Sequence, residues 1–208
     1  MFEIKAWISD YHDELFVMSI EDFEREWCNN VSGYVEVIIG EHALGWFPTH
    51  SLKPGQVCEE WVNWWLTLFL ECAHNISKTN YFSFPVPESN CTWLEFELVE
   101  NKIIFNRARY ESCRLKRLPL IENFAKFIHD EQTGAERGLP ITEKFTGFTY
   151  VEPTGIEIGY RDFLQEIKRA TTKFFKELEA INPALMKSKM AVDMLFLFGC
   201  CWGDYSPT

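Results

Sequence analysis

Apolar and polar positions alternate from Phe2 to Ile8, with Phe2, Ile4, Ala6 and Ile8 on one side and Glu3, Lys5 and Trp7 on the other. That period of two predicts a strand with one buried face. Asp10 to Glu14 reads as a polar turn. Ser19, with Asp22 three residues on and Phe23 and Trp27 one turn apart, predicts a short capped helix that ends near Asn29-Asn30. Tyr34 to Ile39 predicts a second strand closed by Gly40, and the Gly- and Pro-rich stretch 41–55 predicts a loop.

From Gln56 to about His74 the apolar spacing changes to three and four. Val57, Trp61, Trp64, Trp65, Leu68, Phe69 and Cys72 form a stripe that Val62, Leu66 and Leu70 widen. A stripe this broad predicts a helix buried on most sides. A meander follows. Phe82, Phe84 and Val86 alternate, as do Leu94, Phe96 and Leu98 against Trp93, Glu95, Glu97 and Val99. Glu100-Asn101-Lys102 turns the chain into a strand from Ile103 to Tyr110 with Ile103, Phe105, Arg107 and Arg109 on one face. Pro119 to His129 predicts a helix, and residues 130–142 a polar loop. Phe145 to Val151 predicts a strand and Ile156 to Ile158 a short one. Asp162 opens the longest helix, with Lys168, Arg169, Lys173 and Lys176 opposite its apolar stripe; Asn182-Pro183 ends it and starts a final helix from Ala184 to Phe198.

This order of elements predicts an α+β fold: a mostly antiparallel sheet of about five to seven strands with helices packed on one face. The 208 residues suit a single domain over 1–208, with an alternative division near 115. Aromatic residues make up 16% of the chain, so a core is easily supplied. Neither apolar run, Trp61–Ala73 or Met190–Trp202, reaches the 20 or so residues that a membrane-spanning helix needs. Met1 to Lys5 lacks the apolar run of a leader segment, and the seven cysteines match no disulfide framework. Both point to a reducing cytoplasm.

Charge changes the picture most. Residues 1–100 hold 17 Asp and Glu against 4 Lys and Arg, a net of −13; residues 101–208 hold 14 against 16, a net of +2. A field of that sign repels nucleic acid and anionic lipid and attracts basic protein surfaces. The acids Asp13, Glu14, Glu21, Asp22, Glu24, Glu36 and Glu41 are therefore the expected partner-binding residues.

The chemistry-bearing patterns are sparse. There is no G-x-S-x-G elbow and no Gly-rich phosphate loop, so no cofactor is expected. Cys72 and His74 diverge around a helix, which gives no zinc pair. Cys200-Cys201 sits at a helix C-terminus, where the dipole does not favour a thiolate. Glu95 and Glu97 share a strand face, about 7 Å apart. They read as a polar face paired across strands with Arg107 and Arg109.

Two readings follow. The first is a non-catalytic acidic protein that captures a basic protein, such as an immunity protein or inhibitor neutralising a cationic toxin or nuclease. The second is a hydrolase or nuclease whose site gathers Glu95, Glu97 and a histidine. A flat, open carboxylate face favours the first; a cleft with converging Glu, His and Lys favours the second.

Overall fold

Phe69, midway along the central helix, is the centre around which the elements assemble. The computed structural model describes residues 1–9, 12–45, 59–87, 91–110, 140–203 and 205, with the side chains of residues 12 and 13 outside that description. The helix expected over 119–129 and residues 130–139 of the loop expected over 130–142 lie outside the described residues.

The fold is α+β and antiparallel, as the order of elements implied. Its strands divide into two sheets of four. In the first, β1 (Phe2–Ile8) pairs antiparallel with β2 (Ser32–Ile39), in a register running from Phe2 opposite Ile39 to Ile8 opposite Gly33. β3 (His42–Gly45) and the short β4 (Glu60–Trp61) pair with β2 as well. Gly33 is required here, because a Cβ would stand 2.0 Å from the Trp7 carbonyl oxygen. β3 falls inside the stretch expected to be a loop; four residues are too few to show a period.

The second sheet runs β5 (Tyr81–Pro85), β6 (Thr92–Val99), β7 (Lys102–Arg109) and β8 (Thr149–Gly159) in chain order. The β6–β7 hairpin turns where expected, with Glu100 at φ 55°. β8 joins the two strands expected on either side of Pro153, and a register shift between Phe105 and Arg107 absorbs the irregularity.

Two short helices, α1 (His12–Val17) and α2 (Ile20–Glu26), connect β1 to β2. α3 (Val62–Thr79) joins the two sheets. It begins later than its apolar run because Glu60 and Trp61 pair with β2. Asn80 closes it in the left-handed conformation, at φ 56°. α4 (Tyr160–Ile181) and α5 (Lys189–Trp202) follow, separated by a 3-10 turn at Pro183–Lys187 that Asn182 caps through the Ala184 N–H.

The broad stripe of α3 explains the division into two sheets, since it buries against both. The Phe69 ring lies 5.9 Å from Phe2 of the first sheet, and 5.3 and 6.1 Å from Phe84 and Phe96 of the second. Phe163 of α4 closes the cluster against Phe2 and Phe96, at 5.0 and 5.3 Å. Each such buried ring contributes roughly 1.5–3 kcal/mol.

α4 also covers the open edge of β1. Glu166 Oε1 accepts the Ile4 N–H at 2.7 Å, Arg169 donates to the Ile4 carbonyl at 2.8 Å, and Lys173 donates to the Ala6 carbonyl at 2.9 Å. The polar side of α4 thus satisfies a strand edge that would otherwise template pairing with another chain. No helix among the described residues is long and apolar enough to cross a membrane.

Candidate functional site

α1 and α2 carry the densest run of acids. Ser19 caps α2: its hydroxyl accepts the Asp22 N–H at 3.1 Å and donates to the Asp22 carboxylate at 2.7 Å. The cap turns Phe23 inward to full burial and leaves Glu21, Glu24 and Glu26 exposed. Glu14 is exposed on α1. Arg25 pairs with both Asp22 and Glu26, and those carboxylates raise its pKa above the ordinary guanidinium value. Glu24 accepts the Lys189 N–H at 2.9 Å, which ties α2 to the start of α5.

The segment is anchored from below by a buried amide. Leu15 faces the core, and Asn182 donates to the Leu15 and Met18 carbonyls at 2.8 and 2.9 Å. The turn expected over 10–14 therefore gives way to helix from His12. A hexamer this short has little helical tendency of its own; the buried Leu15 and the Asn182 clamp supply what local propensity lacks.

Of the seven expected partner-binding acids, Glu14, Glu21, Asp22 and Glu24 lie on this one segment. The Asp13 backbone belongs to α1, while its side chain lies outside the described residues. Glu36 does not join them: it is buried in β2 and ion-paired with Lys5 at 3.0 Å, because the β1–β2 register sets those two residues opposite each other. Glu41 is exposed, but it turns β2 into β3 beside the Phe2 end of β1. The acidic helices follow the Ile8 end, roughly 20 Å away at strand rise. The acidic surface is thus the α1–α2 segment, with Glu41 apart.

Glu95 and Glu97 make a second, different constellation. Their expected partners were Arg107 and Arg109, and the register corrects this. Glu95 lies opposite Asn106 and Glu97 opposite Ile104; Arg107 and Arg109 lie opposite Leu94 and Thr92. The arginines share the face of Leu94 and Phe96, not that of the two acids.

Glu95 is fully buried, and its carboxylate accepts from Tyr81 Oη at 2.9 Å, Asn106 Nδ2 at 2.9 Å and Tyr150 Oη at 3.2 Å. Burial raises the phenol pKa of both tyrosines, which keeps them protonated donors. Glu97 takes Lys144 at 2.6 Å. The lysine comes from the segment that also stacks Phe145 on Tyr110, Phe145 on Phe148 and Phe148 on Trp93.

The histidines stand elsewhere. His42 is on β3, and His74 on α3 beside Lys78 at 2.7 Å; His50, His129 and the His12 side chain lie outside the described residues. Among the described residues no three His, Cys, Asp or Glu side chains assemble as metal ligands. Cys72 is buried on α3, and burial pushes the Cys201 thiol up to about 11, so both are protonated at neutral pH.

Two features escaped the sequence reading. Tyr81, Tyr150, Asn106 and Lys144 meet Glu95 and Glu97 across up to 55 residues of chain, which no local pattern announces. Phe16 and Val17 stand exposed within the acidic segment. Their signal was the apolar run Leu15 to Met18, too long for the single buried position that one turn of helix offers. Comparison with known protein families, with curated proteins and with solved structures finds no match to this chain.

Proposed function

We propose that this chain is a non-catalytic binding protein that captures a basic protein through its acidic α1–α2 surface. In its concrete form it is a cytoplasmic immunity-type inhibitor that covers the cationic surface of a toxin or nuclease. One observation carries the reading: Glu14, Glu21, Asp22 and Glu24 are gathered on two consecutive helices held to the core by Phe23 and Asn182. Fixed charge of one sign on a rigid support raises association rates and selects cationic partners. The same field disfavours nucleic acid and anionic membrane.

The state of the second carboxylate pair supports the same reading over the hydrolase alternative. Glu95 already accepts three hydrogen bonds and Glu97 is occupied by Lys144. An acid–base catalyst needs a carboxyl within reach of a substrate proton, and Glu95 has no exposed surface.

Affinity capture from the native lysate tests the proposal. A basic protein should be retained at low salt and released above roughly 0.3–0.5 M, where exposed charges are screened. A partner that stays bound in high salt, or no partner at all, counts against it.

A further inference from the structure

Phe16 and Val17 are 68% and 78% exposed, side by side at the end of α1. Single apolar side chains on a surface are ordinary. These two differ because the backbone that presents them is fixed. Leu15 just before them is buried, Asn182 holds the carbonyls of Leu15 and Met18, and Ser19 caps the next helix. Neither side chain hangs on a loose end that could fold inward.

Their surroundings set the chemistry of what would cover them. Glu14 lies two residues before Phe16, and Glu21 and Glu24 follow Val17 on α2, all three exposed. Two of the other exposed apolar sites have a cation near them instead. Trp7 has Lys173 over its ring at 5.5 Å. Val192 and Phe196 share the exposed side of α5 with Lys189.

We propose that Phe16 and Val17 form the apolar centre of a docking surface for a basic amphipathic helix. Its apolar stripe covers the pair while its Lys and Arg side chains meet Glu14, Glu21 and Glu24. This rests on the acidic-binder reading and adds to it the partner's form. An amphipathic helix carries an apolar stripe with cations along both margins, the complement of an apolar pair flanked by acids on either side in the chain. The division of labour follows interface anatomy: rim charges govern encounter, and the desolvated apolar centre governs residence time.

The test uses two synthetic helical peptides of about 18 residues and equal charge, one Leu/Lys and one with Ser for Leu, titrated against the full chain at about 0.05 M and about 0.3 M salt. The wild type should bind both at low salt and prefer the Leu/Lys peptide about tenfold or more. The double variant Phe16→Ser/Val17→Ser should lose that preference and keep its salt dependence. The triple variant Glu14→Lys/Glu21→Lys/Glu24→Lys should lose binding to both peptides. All five positions are exposed, so the double variant should retain the wild-type unfolding midpoint, and the triple variant should lose within the fold only the Glu24–Lys189 bond between α2 and α5. A preference for Leu/Lys that survives Phe16→Ser/Val17→Ser, or none in the wild type, overturns the docking proposal and leaves the acidic reading standing. Failure of both peptides to bind the wild type overturns both.

Discussion

Glu71 and Glu95 are both carboxyl groups taken out of water, and they differ in what they found there. Glu95 has three donors and stays an acceptor at the junction of β5, β6, β7 and β8. Tyr81→Phe removes one donor to a buried carboxylate and should cost about 1.5–3 kcal/mol in urea unfolding. Tyr150→Phe should cost less, because Tyr150 is half exposed and its bond is longer.

Glu71, on the buried side of α3, has no hydrogen-bond partner for either carboxylate oxygen, and burial pushes it up to about 8 from the ordinary 4.5. Between those values the folded state holds a proton that the unfolded state has released. Stability from this group is therefore complete below about pH 4.5 and falls as pH rises from there to about 8, where it levels off, by an amount on the order of 5 kcal/mol. Stability of the wild type against Glu71→Gln across pH isolates it from the other carboxyls. The variant should be the more stable by several kcal/mol above pH 8, and the gap should close near pH 5. A gap that does not move with pH would show that Glu71 is solvated or paired.

At the scale of elements, the parts legible in the sequence are those whose stability is local. β1 and β6 emerge within the limits their alternation predicts, because one face of β1 is buried along its whole length and Leu94 and Phe96 of β6 face the core. α4 is legible for the same reason at a period of 3.6. α1 and the division into two sheets are not, since each depends on groups distant in the chain, and β3 is too short to show a period. α1 is the clearest instance. It exists as helix because Leu15 finds the core and because Asn182, more than 160 residues on, satisfies the carbonyls that follow it. Asn182→Ala should therefore act far beyond its own turn. It removes two clamps and a cap, so a loss of about 2–3 kcal/mol is expected. Hydrogen exchange should rise first in residues 12–26, ahead of β1 and β2. Uniform exchange across the first sheet would contradict that role. The Glu95 site was half legible: the two acids stand on one strand face as their alternation required. Their partners come from β5, β7, β8 and the 140–148 segment, and only the register reveals them.

For the whole molecule, the charge asymmetry matters by where it sits. Part of the surplus acid has structural employment. Glu36 neutralises Lys5, Glu95 and Glu97 hold the second sheet's outer face, and Glu71 is buried. Among the described residues, exposed Glu14, Glu21, Glu24 and Glu26 lie on the α1–α2 segment with the exposed Phe16 and Val17. Net charge alone does not distinguish a solubilising coat from a binding surface; the proposed binding role rests on a rigid acidic segment with an apolar pair at its centre. Reversal of Glu14, Glu21 and Glu24 to lysine should consequently act chiefly on encounter and cost the fold only the Glu24–Lys189 bond.

The association rate constant of the captured basic partner, followed across salt for the wild type and that triple variant, tests this most directly. The account predicts a wild-type rate that falls at least tenfold from about 0.05 to about 0.5 M salt, and a variant rate that is low and nearly independent of salt. Equal rates for the two proteins, or a wild-type rate insensitive to salt, would contradict it.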